Sequence, residues 1–112
     1  MVELMLFDDD DDKFADAGTL QQIPNRGIRF VDIGDKEILL YREDNTIVAM
    51  SGNCTHAFAS LRDGAVEDGI ITCKRHGAKF DLKTGKSLSS MCPSLPRYQV
   101  QMSGNRVQIK KD

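Results

Sequence analysis

Both histidines of this 112-residue chain, His56 and His76, stand close to a cysteine. The first pair reads Cys54-Thr55-His56 and the second Cys73-Lys74-Arg75-His76. The full pattern is C-x-H, sixteen residues, then C-x2-H. Thiolate sulfur and imidazole nitrogen are donors for borderline and soft transition metals, and two of each make a complete four-ligand set. A disulfide framework wants an even number of cysteines, and the chain has three. Cys2His2 is a legitimate zinc set, although C-x-H is an awkward zinc spacing. The bland alternative makes each histidine a surface loop residue and each cysteine a small buried apolar group. It requires that chance placed every histidine beside a cysteine.

The elements that must position these pairs read as short strands. Residues 27–33 (GIRFVDI), 36–42 (KEILLYR) and 46–50 (TIVAM) are rich in β-formers. In the first of these, Ile28 and Phe30 alternate but Asp32 falls off phase. Gly34-Asp35 and Asp44-Asn45 supply the turns between them. Further on come 69–73 (GIITC), 98–102 (YQVQM) and 106–110 (RVQIK). The last two alternate, with Val100, Met102, Val107 and Ile109 on one face and Gly104-Asn105 as a hairpin turn. Asp68-Gly69 and Thr84-Gly85 mark two more turns, and 17–22 could form a turn or two of helix. Many short strands with close turns predict an all-β, antiparallel sandwich or barrel. Both metal-ligand pairs fall at turn-like positions between strands.

Composition sets the outer bounds. The chain is one domain long, with 40% apolar and 29% charged residues and a net charge of −2. That balance gives no reason to expect nucleic acid as a partner. No apolar run approaches the roughly 20 residues of a membrane span. Residues 1–7 lack the basic flank and small-residue cleavage site of a secretory signal. Together with the odd cysteine count this predicts a reducing, cytoplasmic setting. Residues 1–50 carry twelve acidic against five basic residues, and the remainder carry five against ten. Much of the acidity is the run Asp8 to Asp12, which repels itself; residues 1–13 are expected to be a flexible acidic leader. A cloning remnant is an alternative origin for that stretch. The domain proper is expected over 14–112.

Beyond the four ligands, the chain resembles the Rieske iron–sulfur proteins, and among them the small Rieske-type ferredoxins of bacterial ring-hydroxylating dioxygenase systems. Leu61, Gly64 and EDGIITC (67–73) resemble the family's stretch between the ligand pairs. HGAKFDLKTGK (76–86) resembles the second ligand loop, and PSLPRYQV (93–100) the proline-bearing third loop. The resemblance spans about 14–112. It implies a β-sandwich with a small cluster-binding subdomain, about 52–96, formed by two ligand loops and a proline loop. It also implies one 2Fe–2S cluster, with Cys54 and Cys73 on one iron and His56 and His76 on the outer one. Replacing two thiolates by neutral imidazoles makes the cluster less negative and raises its potential.

The absences refine what the resemblance implies. The respiratory members carry an extra disulfide-bonded cysteine in each loop, and here those neighbourhoods hold none. They also place serine and tyrosine where this chain has Ala78 and Phe80. Loss of two hydroxyl donors predicts a potential at the low end of the family range, roughly −150 mV rather than +300 mV. Backbone N–H groups are expected to supply the remaining donors, with Gly52 and Gly77 easing close approach. Cys92 is read as a small buried apolar group rather than a reactive thiol. Pro93 and Pro96 would stiffen the lid over the cluster. Lys74, Arg75, Lys79, Lys83 and Lys86 form either a solvated face or a docking patch for an acidic redox partner.

No nucleotide-binding glycine motif and no second metal triad is visible, and both histidines are spent as ligands. The chain is therefore expected to be a carrier and not an enzyme. By resemblance it is a monomeric one-electron shuttle from an NAD(P)H-dependent flavoprotein reductase to a terminal Rieske non-haem iron oxygenase. The alternatives are the small subunit of an assimilatory nitrite reductase, which has a similar fold, and a zinc-binding interaction module.

Overall fold

The computed structural model describes residues 14–54, 59–74, 77–89 and 93–110. The acidic leader, His56, Arg75, His76 and Cys92 lie outside the described residues. Among the described residues, twelve strands form four antiparallel sheets. In chain order they are β1 (Phe14–Thr19), β2 (Ile28–Ile33), β3 (Lys36–Glu43), β4 (Thr46–Ser51), β5 (Asn53–Cys54) and β6 (Ala59–Ser60). Then follow β7 (Ala65–Glu67), β8 (Ile70–Thr72), β9 (Lys79–Asp81), β10 (Arg97–Tyr98), β11 (Val100–Ser103) and β12 (Arg106–Lys110).

The central sheet has the order β10-β4-β3-β2. Its two-residue turns fall at Gly34-Asp35 and Asp44-Asn45, where the sequence places them, and Gly34 takes φ +64°. The dense run Ile38-Leu39-Leu40-Tyr41 is buried throughout because this sheet is covered on both faces. Leu39, Tyr41 and Met50 join one core with Leu61, Ile71, Cys73, Phe80, Leu82 and Leu95. Ile38, Leu40, Ile47 and Ala49 join another with Ala17, Leu20, Ile23, Val107 and Ile109. Each fully buried aliphatic or aromatic side chain contributes about 1.5–3 kcal/mol of transfer free energy. The first core faces the ligand loops and the second faces the sheet β1-β12-β11.

Two expectations need correction. Of the turn or two of helix expected over 17–22, only a single 3-10 turn at Leu20–Gln22 forms, because strand β1 runs to Thr19. The segment FADAGT has poor β-propensity but is recruited by pairing with β12, from Phe14↔Lys110 to Thr19↔Arg106. Gly18 permits the bulge, with φ +101° and a Cβ position 2.3 Å from Gln22 Oε1. The run 98–102 is not one strand. Tyr98 pairs with Ala49 in the central sheet while Val100 pairs with Ile109 in the terminal sheet, so the chain changes sheets at Gln99. Met102 shares a face with Val107 but is exposed at the end of its hairpin.

Candidate cluster site

Each expected ligand pair is carried on a hairpin of the same build. In the first, Cys54 ends β5 and pairs with Ala59 of β6; the four residues between them in the sequence, 55–58, lie outside the described residues. In the second, Cys73 follows β8 and its amide donates to the carbonyl of Ala78, at 2.7 Å, just before β9. The tip 74–77 again has four residues. Gly77 closes it from the left-handed region, φ +69°, with its amide donating to Cys73 O at 2.9 Å. Cys-x4-Ala is thus repeated, and in the sequence each histidine falls among the four residues between.

The Cys73 side chain is 1% exposed and its thiol is free of any disulfide. It lies in the apolar core with Leu61, Ile71, Ala78 and Phe80. Leu61 directly follows the first hairpin, so this core joins the bases of both. The first hairpin is also tied to the central sheet. Gly52 N–H donates to Glu37 O at 2.8 Å, and Leu61 N–H donates to Gly52 O at 2.7 Å. Gly52 is required there by packing: a Cβ would lie 2.9 Å from Glu37 Cγ and 3.2 Å from Phe30 Cδ2. The expected role of Gly52 in close approach is therefore toward the central sheet, and its N–H, like that of Gly77, is engaged within the protein.

The third loop is anchored by Leu95, buried in the same core, whose amide donates to Gly85 O at 2.8 Å. Pro96 O accepts from Ser51 N–H at 2.9 Å. The hydroxyls nearest in sequence serve the backbone: Ser89 Oγ accepts from Lys79 N–H, and Ser94 Oγ from Ser87 N–H. Ala78 and Phe80 are 3% and 0% exposed and offer no donor.

The basic patch divides. Lys74 and Lys79 are exposed on either side of the second tip. Lys83 lies at the opposite end of β9, where its Nζ pairs with Glu43 Oε2 at 3.4 Å, so it does not belong to a face around the ligand hairpins. Leu88, which sequence reasoning passed over, does. It is 51% exposed, and its amide donates to Lys79 O at 2.8 Å. Its only sequence signal is one apolar residue in the polar stretch 83–90.

The donor set fits a Rieske cluster. A buried thiolate is costly unless a cation takes its charge. Cys73 is placed at a hairpin base, matching the backbone position of Cys54, and a histidine follows each cysteine closely in the sequence. Among the described residues no helix is long and apolar enough to cross a membrane.

Comparison with known proteins agrees with this geometry. Residues 13–101 match the model of the Rieske [2Fe-2S] domain. The chain is 34% identical to the ferredoxin component of a naphthalene 1,2-dioxygenase system from Pseudomonas aeruginosa, over 88% of this chain and 95% of the relative. It is 35% identical to the ferredoxin component of the naphthalene 1,2-dioxygenase/salicylate 5-hydroxylase systems of Ralstonia sp, over 88% and 96%. Among solved structures it is similar to a chain in a complex of reduced oxygenase and oxidized ferredoxin of carbazole 1,9a-dioxygenase. That match has 26% identity and a TM-score of 0.78, and covers 89% of this chain and 94% of the other.

Proposed function

The chain belongs to the Rieske [2Fe-2S] domain family, as a ferredoxin with a Rieske-type 2Fe–2S cluster, and from that premise we propose that Cys54, His56, Cys73 and His76 are its four ligands. The two cysteines would hold one iron and the two histidines the other. The cluster supplies a centre that takes up and releases one electron. The chain's own residues do the rest. Cys73 is seated in an apolar core that keeps water from the cysteine side. The two Cys-x4-Ala hairpins carry the histidines in the sequence between their cysteine and alanine. Lys74, Lys79 and Leu88 offer a partner a cationic surface with an apolar centre.

The function is one-electron transfer from an NAD(P)H-dependent flavoprotein reductase to a terminal Rieske non-haem iron oxygenase, in the cytoplasm and as a monomer. The observation that carries this reading is the free, buried thiol of Cys73 at a hairpin base that repeats the base of Cys54. The domain runs from Phe14 to the end of the chain, with its cluster-binding part about 52–96.

The test is visible absorption and low-temperature EPR of the purified protein before and after dithionite, with iron and sulfide analysis. Two irons, two sulfides and a Rieske-type signal support the ligand set. Substituting any one ligand by alanine should abolish that signal. A colourless, zinc-bound protein that cannot be reconstituted with iron and sulfide would overturn it.

A further inference from the structure

Asp32 and Glu37 are directly opposed across β2 and β3. They lie on the face that carries Phe30, Leu39 and Tyr41, the one turned toward the ligand loops. Two carboxylates in such register repel each other. The off-phase Asp32 of the sequence is therefore an unfavourable choice unless something compensates. The compensation comes from Arg62, two residues after the first ligand hairpin. Its Nη2 donates to Asp32 Oδ1 at 3.2 Å and its Nε to Glu37 Oε2. Its guanidinium carbon lies 5.2 Å from the Phe30 ring centroid. Ser60 Oγ, on β6 itself, donates to the same Glu37 oxygen at 3.0 Å, and Arg62 N–H donates back to Ser60 Oγ at 3.1 Å. Gly52 enters the hairpin pressed against Glu37 and Phe30.

The two hairpins are thus secured by different forces. The second is held by core packing around Cys73, Ala78 and Phe80. Besides the backbone bonds through Gly52, the side-chain polar contacts described for the first converge on one guanidinium that bridges two carboxylates of the central sheet. We propose that Arg62 is a positioning residue for the cluster: by bridging Asp32 and Glu37 it holds the Cys54 hairpin against the central sheet and sets how long the cluster is retained. The inference depends on the ligand assignment above. On this reading Arg62 acts through Ser60 and the backbone of β6.

The experiment uses the holoprotein and follows cluster loss to a strong iron chelator by visible absorbance, at low and high salt, with EPR of each variant. Arg62→Met should lose its cluster about tenfold faster than the parent at low salt, and the gap should narrow at high salt. Arg62→Lys keeps the charge but not the fork, and should recover part of the loss. Glu37→Gln gives a second route should Arg62→Met fail to fold. Arg106→Met is the control. It breaks the half-exposed Arg106–Asp16 pair in the terminal sheet, away from the hairpins, and should leave cluster loss unchanged. Equal loss rates in Arg62→Met, Arg106→Met and parent, with a Rieske signal present in all three, would overturn the positioning role alone. Absence of a Rieske signal in the reconstituted parent would instead overturn the ligand assignment and this inference with it.

Discussion

The amide of Cys73 donates to the carbonyl of Ala78 at 2.7 Å, so the second hairpin is pinned at its base by the residue proposed as a ligand. The same Cys/Ala partnership recurs as Cys54↔Ala59 in the first hairpin. The backbone at each cysteine is therefore held by an alanine across the hairpin base.

Two glycines near this base should respond differently to alanine. Gly77 has φ +69° and open space within 4 Å of where a Cβ would sit, so Gly77→Ala should cost only the left-handed backbone penalty, about 1–2 kcal/mol. A Cβ on Gly64 would lie 2.7 Å from the carbonyl oxygen of Thr72 and 3.0 Å from Ile71 Cγ1. Relief there requires the main chain to move, and Gly64→Ala should cost as much or more, about 1–3 kcal/mol. Denaturant unfolding of the two variants against the parent would rank them, and a near-neutral Gly64→Ala would contradict the packing.

Ala78 and Phe80 are buried in the same core as Cys73 and carry no hydroxyl. The parent potential should accordingly lie toward the low end of the Rieske range, near roughly −150 mV. Introducing a donor with Ala78→Ser or Phe80→Tyr should raise it by roughly 50–100 mV each, the scale of a hydrogen bond to a charged acceptor in a one-electron couple. Redox titration followed by visible circular dichroism decides. A parent value above ~0 mV, or no rise in either variant, would contradict the account.

Lys79 and Leu88 should affect partner encounter in distinguishable ways. Lys79→Glu should slow electron transfer to the oxygenase at low salt and much less at high salt, because steering is screened. Leu88→Ala should weaken transfer at both, because it removes apolar contact. Lys83→Glu, whose parent side chain is paired with Glu43 away from the hairpins, should change transfer little. Stopped-flow kinetics across ionic strength would separate the three.

Asp16 and Arg106 join β1 to β12, and the guanidinium holds the Asp16 carboxyl below its ordinary range. A depressed folded-state pKa contributes stability above the unfolded value of about 3.9, lost as pH falls through the folded value. Asp16→Asn should therefore be less stable than the parent at neutral pH, and the difference should shrink below about pH 4. Both side chains are about half exposed, 48% and 53%, so the effect should be modest and salt-sensitive. Thermal unfolding at pH 7 and pH 3 tests it. A difference that grows on acidification would refute the assignment.

What the sequence determined by itself was the chemistry. Two cysteine–histidine pairs at fixed spacing specify a donor set whatever the fold, and the two-residue turns around Gly34 and Asp44 follow from local backbone preference. The identity of the family was legible in the loops between those donors. The tertiary structure decided everything that depends on which distant residues meet. FADAGT became a strand because β12 offered a partner, against its own propensity. Lys83 left the basic face because β9 separates it from the tip, and Leu88 joined that face through its bond to Lys79. Asp32 reads as a flaw in an alternating strand until Arg62, thirty residues on, bridges it to Glu37. Local preferences are written in neighbouring residues, whereas burial and charge pairing arise only when the chain brings remote ones into contact.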